Sequence, residues 1–131
     1  MTVTTPANVT GVSRVIISFY EALEARDWAA LEKLLDFDIV YEVPQTQERV
    51  SGRSAYIRFN RDYPGDWYLE VQRAYEDDIG GAAEVSFRVG GEVMVNVAFF
   101  ELSAGRVRTI RDYWPEPYQP PPGREHLVER Y

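Results

Sequence analysis

The sequence contains no cysteine and only one histidine, His126. Without cysteine the chain forms no disulfide framework, no thiolate nucleophile and no Cys-based zinc site. A single histidine also excludes a metal site built from several imidazoles. A site made of carboxylates alone stays open, but no loop with suitable spacing is recognisable, and we expect no cofactor.

Positive charge is scarce. Fourteen Lys and Arg stand against 21 Asp and Glu, which gives a net charge of −7. Binding to a nucleic-acid backbone depends on clustered cations that neutralise phosphates. The sequence has no basic cluster that would outweigh its acidity, so we expect no nucleic-acid partner.

Long apolar runs are also missing. The longest, Val93–Phe100, is interrupted by Asn96 and is far too short to span a bilayer. The first ten residues lack the basic and apolar regions of a signal peptide. We therefore expect no membrane partner and a cytoplasmic location.

Hydrophobic residues nevertheless make up 45% of the 131 residues, and aromatic residues 14%, enough for one packed domain over residues 1–131. Apolar residues first recur at helical spacing and later alternate as in strands. A polar loop is expected at Gln45–Ser51, and a Pro-rich arm follows the core at 115–131. Helices are predicted at about 12–26, 27–35 and 52–62, and strands at about 36–44, 67–76, 83–89, 92–102 and 105–114.

This order of elements predicts an α+β fold, in which helices pack on one face of a curved antiparallel sheet. The last four strands follow one another through short turns, so they should form an antiparallel meander. A strongly curved sheet wrapped around the N-terminal helices would enclose a pocket.

Asp112 is the main candidate for chemistry. Strand alternation places it on one face with Arg108, Ile110 and Trp114, and the opposite set begins with Val107. A carboxylate on an apolar face must be paired, hydrogen-bonded or turned into a cavity. It could act as a general acid or base, because desolvation raises its pKa towards neutral pH. It could instead pair with Arg108 or Arg111, or accept a hydrogen bond from a tyrosine.

Aromatic and amide side chains are candidates for the wall of a pocket around Asp112. Aromatic rings with polar tips suit a flat ligand, because the ring packs on it and the hydroxyl orients it. Ordinary core or dimer packing is the alternative for each of them. The candidate lining residues are Tyr20, Tyr41, Tyr56, Phe59, Tyr63, Asn96, Phe100 and Trp114.

Several segments carry a family resemblance: Phe19–Leu23 followed by Asp27-Trp28, the strand ending at Pro44, the helix opened by Ser51-Gly52, and Gly105 to Trp114. Together they resemble the nuclear transport factor 2-like superfamily, most closely its SnoaL-like and ketosteroid-isomerase-like group. The likeness covers about residues 9–115. It implies a cone in which a bent sheet wraps a long helix and leaves a pocket open at one end.

The resemblance also implies site positions. In ketosteroid isomerase a tyrosine and two acids form the site. The positions that correspond to them are occupied here by Phe19, Val43 and Ala98, which are all apolar. The Arg and Asp of limonene epoxide hydrolase correspond to Asn96 and Ala98. The acid/base Asp of SnoaL-type polyketide cyclases matches Asp112, whereas the histidine of those enzymes has no counterpart.

The resulting hypothesis is a SnoaL-like protein that binds a small, mostly apolar metabolite, with a polycyclic compound as one option. Asp112 would transfer a proton without a cofactor, in a cyclisation, isomerisation or dehydration. The alternative is a non-catalytic ligand-binding or dimerisation module. A homodimer through the outer sheet face is expected, because Val93, Val95, Val97 and Phe99 are apolar on the side away from the pocket.

Overall fold

The computed structural model describes residues 14–131, so the predicted polar lead and the start of the first helix lie outside the described residues. The core is built from three helices and six strands. They are α1 Val15–Ala25, α2 Trp28–Leu34, β1 Leu35–Val43, β2 Glu48–Ser51, α3 Arg53–Arg61, β3 Trp67–Glu76, β4 Gly80–Val89, β5 Glu92–Ser103 and β6 Arg106–Tyr113, followed by a 3₁₀ turn at Glu125–Leu127.

Helix α1 is fixed at both ends. The Glu76 carboxylate of β3 accepts hydrogen bonds from the Val15 and Ile16 backbone nitrogens at 3.1 and 2.8 Å, and so satisfies two of the free donors of the first turn. The helix ends where Arg26 adopts a left-handed conformation with φ of 57°. Asp27 then caps α2 by accepting a hydrogen bond from Ala30 N at 3.0 Å.

The six strands form one sheet in the order β2-β1-β6-β5-β4-β3. Strands β3 to β6 form the predicted antiparallel meander. Strand β1 joins β6 in parallel, so the sheet is mixed, with one parallel pair. The predicted α+β class is confirmed: α1 packs against β3, β4 and β6, while α3 packs against β1 and β2.

Two predictions of secondary structure were wrong, one for the segment 45–51 and one for the start of β4. The segment expected to be a polar loop contains β2, whose residues Glu48–Ser51 pair with Val40–Val43. Polarity misled the prediction, because an edge strand facing solvent carries few apolar residues. Strand β4 begins at Gly80 rather than Ala83. There a Cβ on Gly81 would lie 2.1 Å from Tyr75 O, so this glycine permits close strand pairing rather than a turn.

A bulge in β6 interrupts the alternation of side chains that was predicted for this strand. The pairing of β5 with β6 shifts between Glu101 and Leu102, and Arg108 is left without a partner. Val107 is therefore buried and Arg108 exposed, the reverse of the predicted faces. Beyond the bulge the alternation resumes, so Ile110 and Asp112 still share the inner face.

The outer face of β5 carries an apolar stripe. Val93, Val95 and Phe99 are 67%, 45% and 51% exposed, and Val97 is half-buried. The Tyr113 ring packs edge-on against Phe99 with centroids 5.9 Å apart. None of the helices within residues 14–131 is both long and apolar enough to cross a membrane.

Candidate functional site

A cavity lies between the helices and the inner face of the sheet. The whole empty space, including the open mouth, is about 530 Å³. The volume that the centre of a water molecule can reach inside it is about 60 Å³. One water needs roughly 10–15 Å³ on this measure, so the interior has room for a few waters or a small ring. Its lining consists of Phe19, Tyr20, Leu23, Tyr41, Tyr56, Phe59, Asn60, Tyr63, Trp67, Leu69, Phe87, Asn96, Ile110, Asp112 and Trp114.

Asp112 is the one carboxylate in this lining. It projects from the inner face of β6, and its Oδ2 accepts a hydrogen bond from the Tyr41 hydroxyl at 2.6 Å. Burial among apolar atoms raises the pKa of Asp112 from 3.8 to about 6, against an opposing effect of hydrogen bonding from Tyr41 and Asn96. Asp112 keeps some accessible surface because it faces the cavity, while surrounding atoms screen it from bulk water.

The two arginines considered as partners of Asp112 lie elsewhere. Arg111 points to the outer face, where its Nε lies 3.5 Å from Glu42. Arg108 is exposed at the bulge. Within residues 14–131 no cation forms a salt bridge with Asp112. Of the partners considered from the sequence, Asp112 therefore has the tyrosine, which donates a hydrogen bond to it, and not an arginine.

Three tyrosines and one amide supply the other polar groups near Asp112. Burial, and then the nearby Asp112 charge, raises the pKa values of Tyr20, Tyr41 and Tyr56 above the ordinary value of 10.0. Their hydroxyls therefore stay protonated at neutral pH and can donate hydrogen bonds. Asn96 Nδ2 donates to Tyr113 O at 3.2 Å, which fixes the amide beside the cavity.

Side chains outside the lining hold two of its indole rings in place. The Arg26 guanidinium stacks on Trp67 at 3.4 Å from the ring centroid and donates a hydrogen bond to Trp67 O. Gln45 pairs with the backbone of Trp114: its Oε1 accepts from Trp114 N, and its Nε2 donates to Trp114 O at 3.2 Å. Sequence patterns gave no sign of either contact, because the partners are distant along the chain.

The structure places all the sequence-predicted site residues in the lining except Phe100. That residue is 4% exposed and lies below the cavity, with its ring against Phe19 and Tyr20 at 5.4 and 5.9 Å. Sequence reasoning missed seven lining residues, although the alternation of β3 and β4 could have found three of them. The missed residues are Phe19, Leu23, Asn60, Trp67, Leu69, Phe87 and Ile110.

Residues 14–131 contain no group of three or more His, Asp or Glu side chains placed to hold a metal ion. The lining itself carries neither Lys, Arg nor His. The chemistry of this site is therefore that of one carboxyl group, four phenols and two amides in a largely apolar surround.

Comparison with known proteins now decides the family. Residues 16–110 match the SnoaL-like domain family. The chain belongs to that family. The match includes most of the helices and strands around the cavity of this SnoaL-like protein, and ends two residues before Asp112.

Solved structures agree with this assignment. A ketosteroid isomerase candidate from Kribbella flavida DSM 17836 is 46% identical to the SnoaL-like protein, with a TM-score of 0.84 over 89% of this chain and 87% of that one. An NTF-2 like protein of unknown function from Burkholderia xenovorans LB400 has 24% identity and a TM-score of 0.74, over 89% and 92% of the two chains. An LEH-like epoxide hydrolase from M. tuberculosis has 22% identity and a TM-score of 0.68, over 78% and 80%.

The last two likenesses, both under 25% identity, show the fold alone. No curated protein sequence matches this chain. The predicted membership of the nuclear transport factor 2-like superfamily and its SnoaL-like group is confirmed.

Proposed function

We propose that this SnoaL-like protein binds a small, mostly apolar metabolite in the cavity and transfers a proton with Asp112 as acid or base. The observation that carries the proposal is one carboxyl group with a pKa of about 6, set in an aromatic cavity beside Tyr41. General acid–base catalysis is most effective when the pKa of the group lies near the working pH.

The charge states favour a base at neutral pH. With a pKa of about 6, Asp112 is roughly nine-tenths ionised at pH 7 and can take up a proton from carbon or oxygen. Protonated tyrosines nearby can donate hydrogen bonds to an oxygen that gains negative charge as the proton leaves. Cyclisation, isomerisation and dehydration next to a carbonyl or hydroxyl all contain such a step.

The cavity also constrains the ligand. Its apolar wall and lack of cations favour a neutral body, and its interior fits a small ring system. A polycyclic ligand would need the mouth to widen, which Tyr63 could allow because its side chain is 40% exposed. The Kribbella flavida relative, named as a ketosteroid isomerase candidate, supports proton transfer on a cyclic carbonyl compound as the chemistry to test.

Two measurements test the proposal. NMR of the Asp112 carboxyl carbon gives its titration midpoint, and incubation of small cyclic ketones with the protein in D2O reports proton exchange. We expect a titration midpoint near pH 6 and a higher midpoint in Tyr41→Phe, because that variant loses a hydrogen bond that favours the charged form. We also expect wild-type protein to exchange protons next to the carbonyl and Asp112→Asn to lose this activity.

Asp78→Asn is the matched control, since it removes the same charge from an exposed loop position. A midpoint at or below 3.8, or equal exchange by Asp112→Asn, would overturn the acid/base role. Ligand binding without exchange in any variant would favour the non-catalytic binding module.

We also propose a homodimer formed through the stripe of Val93, Val95 and Phe99. Exposed contiguous apolar surface rimmed by polar residues is typical of protein interfaces. We expect sedimentation to give the mass of two 15.1 kDa chains, and Val95→Asp with Phe99→Asp to give a monomer. Phe37→Asp, which also changes an exposed aromatic residue, should stay dimeric. A wild type that is monomeric at about 100 μM, where a dimer of roughly micromolar affinity would be populated, would contradict the proposal.

A further inference from the structure

A second concave surface adjoins the mouth of the cavity. It is an open groove between β2 and α3, with about 570 Å³ available to water centres. Phe59 and Tyr63 line both the groove and the cavity, so their rings form the partition between the two spaces. A ligand that extends out of the cavity past these rings enters the groove.

The charge of the groove differs from that of the rest of the chain. Its nine lining residues include two arginines, Arg49 and Arg58, and one carboxylate, Asp62, in a protein of net charge −7. Arg49 is bound by Glu42 at 2.6 Å, and Asp62 is paired with Arg61 at 3.4 Å. Arg58 lines the groove and forms no salt bridge with any described carboxylate.

Helix geometry connects this cation to the cavity. Arg58 and Phe59 are consecutive in α3, so their side chains point about 100° apart around the helix axis. Phe59 faces the cavity as well as the groove, whereas Arg58 faces the groove only. Arg58 therefore lies one helix position from a residue of the cavity wall, and its side chain lines the groove.

The cavity disfavours an anion, because its lining contains no Lys, Arg or His. Its only ionisable group of low pKa is the Asp112 carboxyl, which carries negative charge at neutral pH and would repel a second anion in an apolar surround. A ligand that carries a carboxylate or phosphate is therefore better accommodated with that group outside the cavity. The groove offers a solvated cation for it.

We propose that the β2–α3 groove binds the anionic substituent, a carboxylate or a phosphate, of a ligand whose apolar body occupies the cavity. This rests on the proposed function and adds to it the substrate class: an apolar ring joined by a short chain to an anion. Arg58 is the residue that recognises the anion, and its planar guanidinium suits either oxyanion.

The test uses three probes with the same body: 4-phenylbutanoate, its methyl ester and 4-phenylbutyl phosphate. Binding is followed by tryptophan fluorescence, because Trp67 and Trp114 line the cavity. We expect Arg58→Gln to weaken binding of the carboxylate by about two- to five-fold, as for an exposed ion pair, and to leave the ester unchanged. Raising NaCl from about 20 to about 200 mM should weaken the binding of the carboxylate and leave the binding of the ester unchanged.

Arg88→Gln is the matched control, since Arg88 of β4 lies over the Tyr68 ring of β3 and does not line the groove. Comparison of the carboxylate with the phosphate identifies the preferred anion. It is the one whose affinity decreases more in Arg58→Gln. Equal effects of Arg58→Gln on carboxylate and ester would overturn the anion site and leave the proposed function standing. If none of the three probes binds the wild type, the proposed ligand class is wrong, and the Asp112 titration then decides separately on the acid/base role.

Discussion

Asp112→Asn is expected to make the protein more stable above pH 6, although it removes the group proposed to transfer the proton. Burial raises the pKa of Asp112 in the folded state to about 6, compared with 3.8 as its ordinary value. The fold therefore prefers the neutral acid. Asparagine resembles that neutral form, and its side-chain oxygen can still accept the hydrogen bond of Tyr41.

The sign of the pH dependence follows from linkage. A carboxyl group whose pKa is raised by folding adds stability below its unfolded pKa, near 4, and this stability is lost as the pH rises through about 6. The wild-type free energy of unfolding should fall over this interval because of Asp112. In Asp112→Asn that part of the fall should be absent.

The effect is large for a single substitution. The difference between 3.8 and about 6 corresponds to roughly 3 kcal/mol at 1.36 kcal/mol per pKa unit, as an upper bound. We expect Asp112→Asn to gain about 2 kcal/mol over wild type at pH 8, with little gain at pH 4, measured by urea unfolding. Asp78→Asn should follow the wild type at both pH values. A variant less stable than wild type at pH 8 would mean that the charged carboxylate holds the fold together.

A buried carboxyl group of this kind agrees with the proposed acid/base role of Asp112. A side chain that costs stability at neutral pH is retained where activity requires it, which is the usual trade-off between stability and function. The hydrogen bond from Tyr41 reduces this cost without removing it, because burial remains the larger effect on the pKa of Asp112.

The sequence located Asp112 on the correct face by simple alternation, but only because the bulge at Arg108 comes before it. A bulge changes which face a residue occupies without changing the amino-acid pattern around it, so alternation failed at Val107 and held at Ile110. The short strand β2 was missed for a related reason. Three of its four side chains are exposed, and apolar periodicity cannot detect a strand that buries little.

The contact between Tyr41 and Asp112 joins residues 71 positions apart. A tyrosine partner could be named as one option from the sequence, but not which tyrosine. The choice depends on the parallel pairing of β1 with β6, which places Tyr41 opposite Ile110 and so next to Asp112. No local pattern specifies that pairing, because strands distant in sequence find each other through the fold.

Phe100 shows the limit of face prediction in another way. Asn96, Ala98 and Phe100 all point inward from β5, yet only Asn96 reaches the cavity. Strand periodicity gives the direction of a side chain and not its depth. The space above Phe100 is filled by Phe19 and Tyr20 of α1, and this helix sets the floor of the cavity.

Phe19→Ala should therefore have the largest effect on stability. Phe19 is 1% exposed, and its ring packs on Tyr20, Tyr56 and Phe100 with centroid distances of 5.0, 6.3 and 5.4 Å. Removing a buried phenyl ring costs about 3–5 kcal/mol in lost burial and cavity formation. Urea unfolding measures this loss, and Phe37→Ala, which truncates a ring that is 68% exposed, should lose less than about 1 kcal/mol.

The same variant also tests whether the floor of the cavity limits ligand size. Truncation at Phe19 would extend the cavity towards Phe100, and a small ring such as benzene or indole could fill the added space. A ligand at about 100 times its dissociation constant restores about 2.7 kcal/mol of stability. We expect the ligand to stabilise Phe19→Ala more than it stabilises the wild type, whereas Phe37→Ala, which keeps the cavity unchanged, should match the wild type. Equal ligand stabilisation of wild type and Phe19→Ala would mean that helix α1 moves into the space and that the floor does not set ligand size.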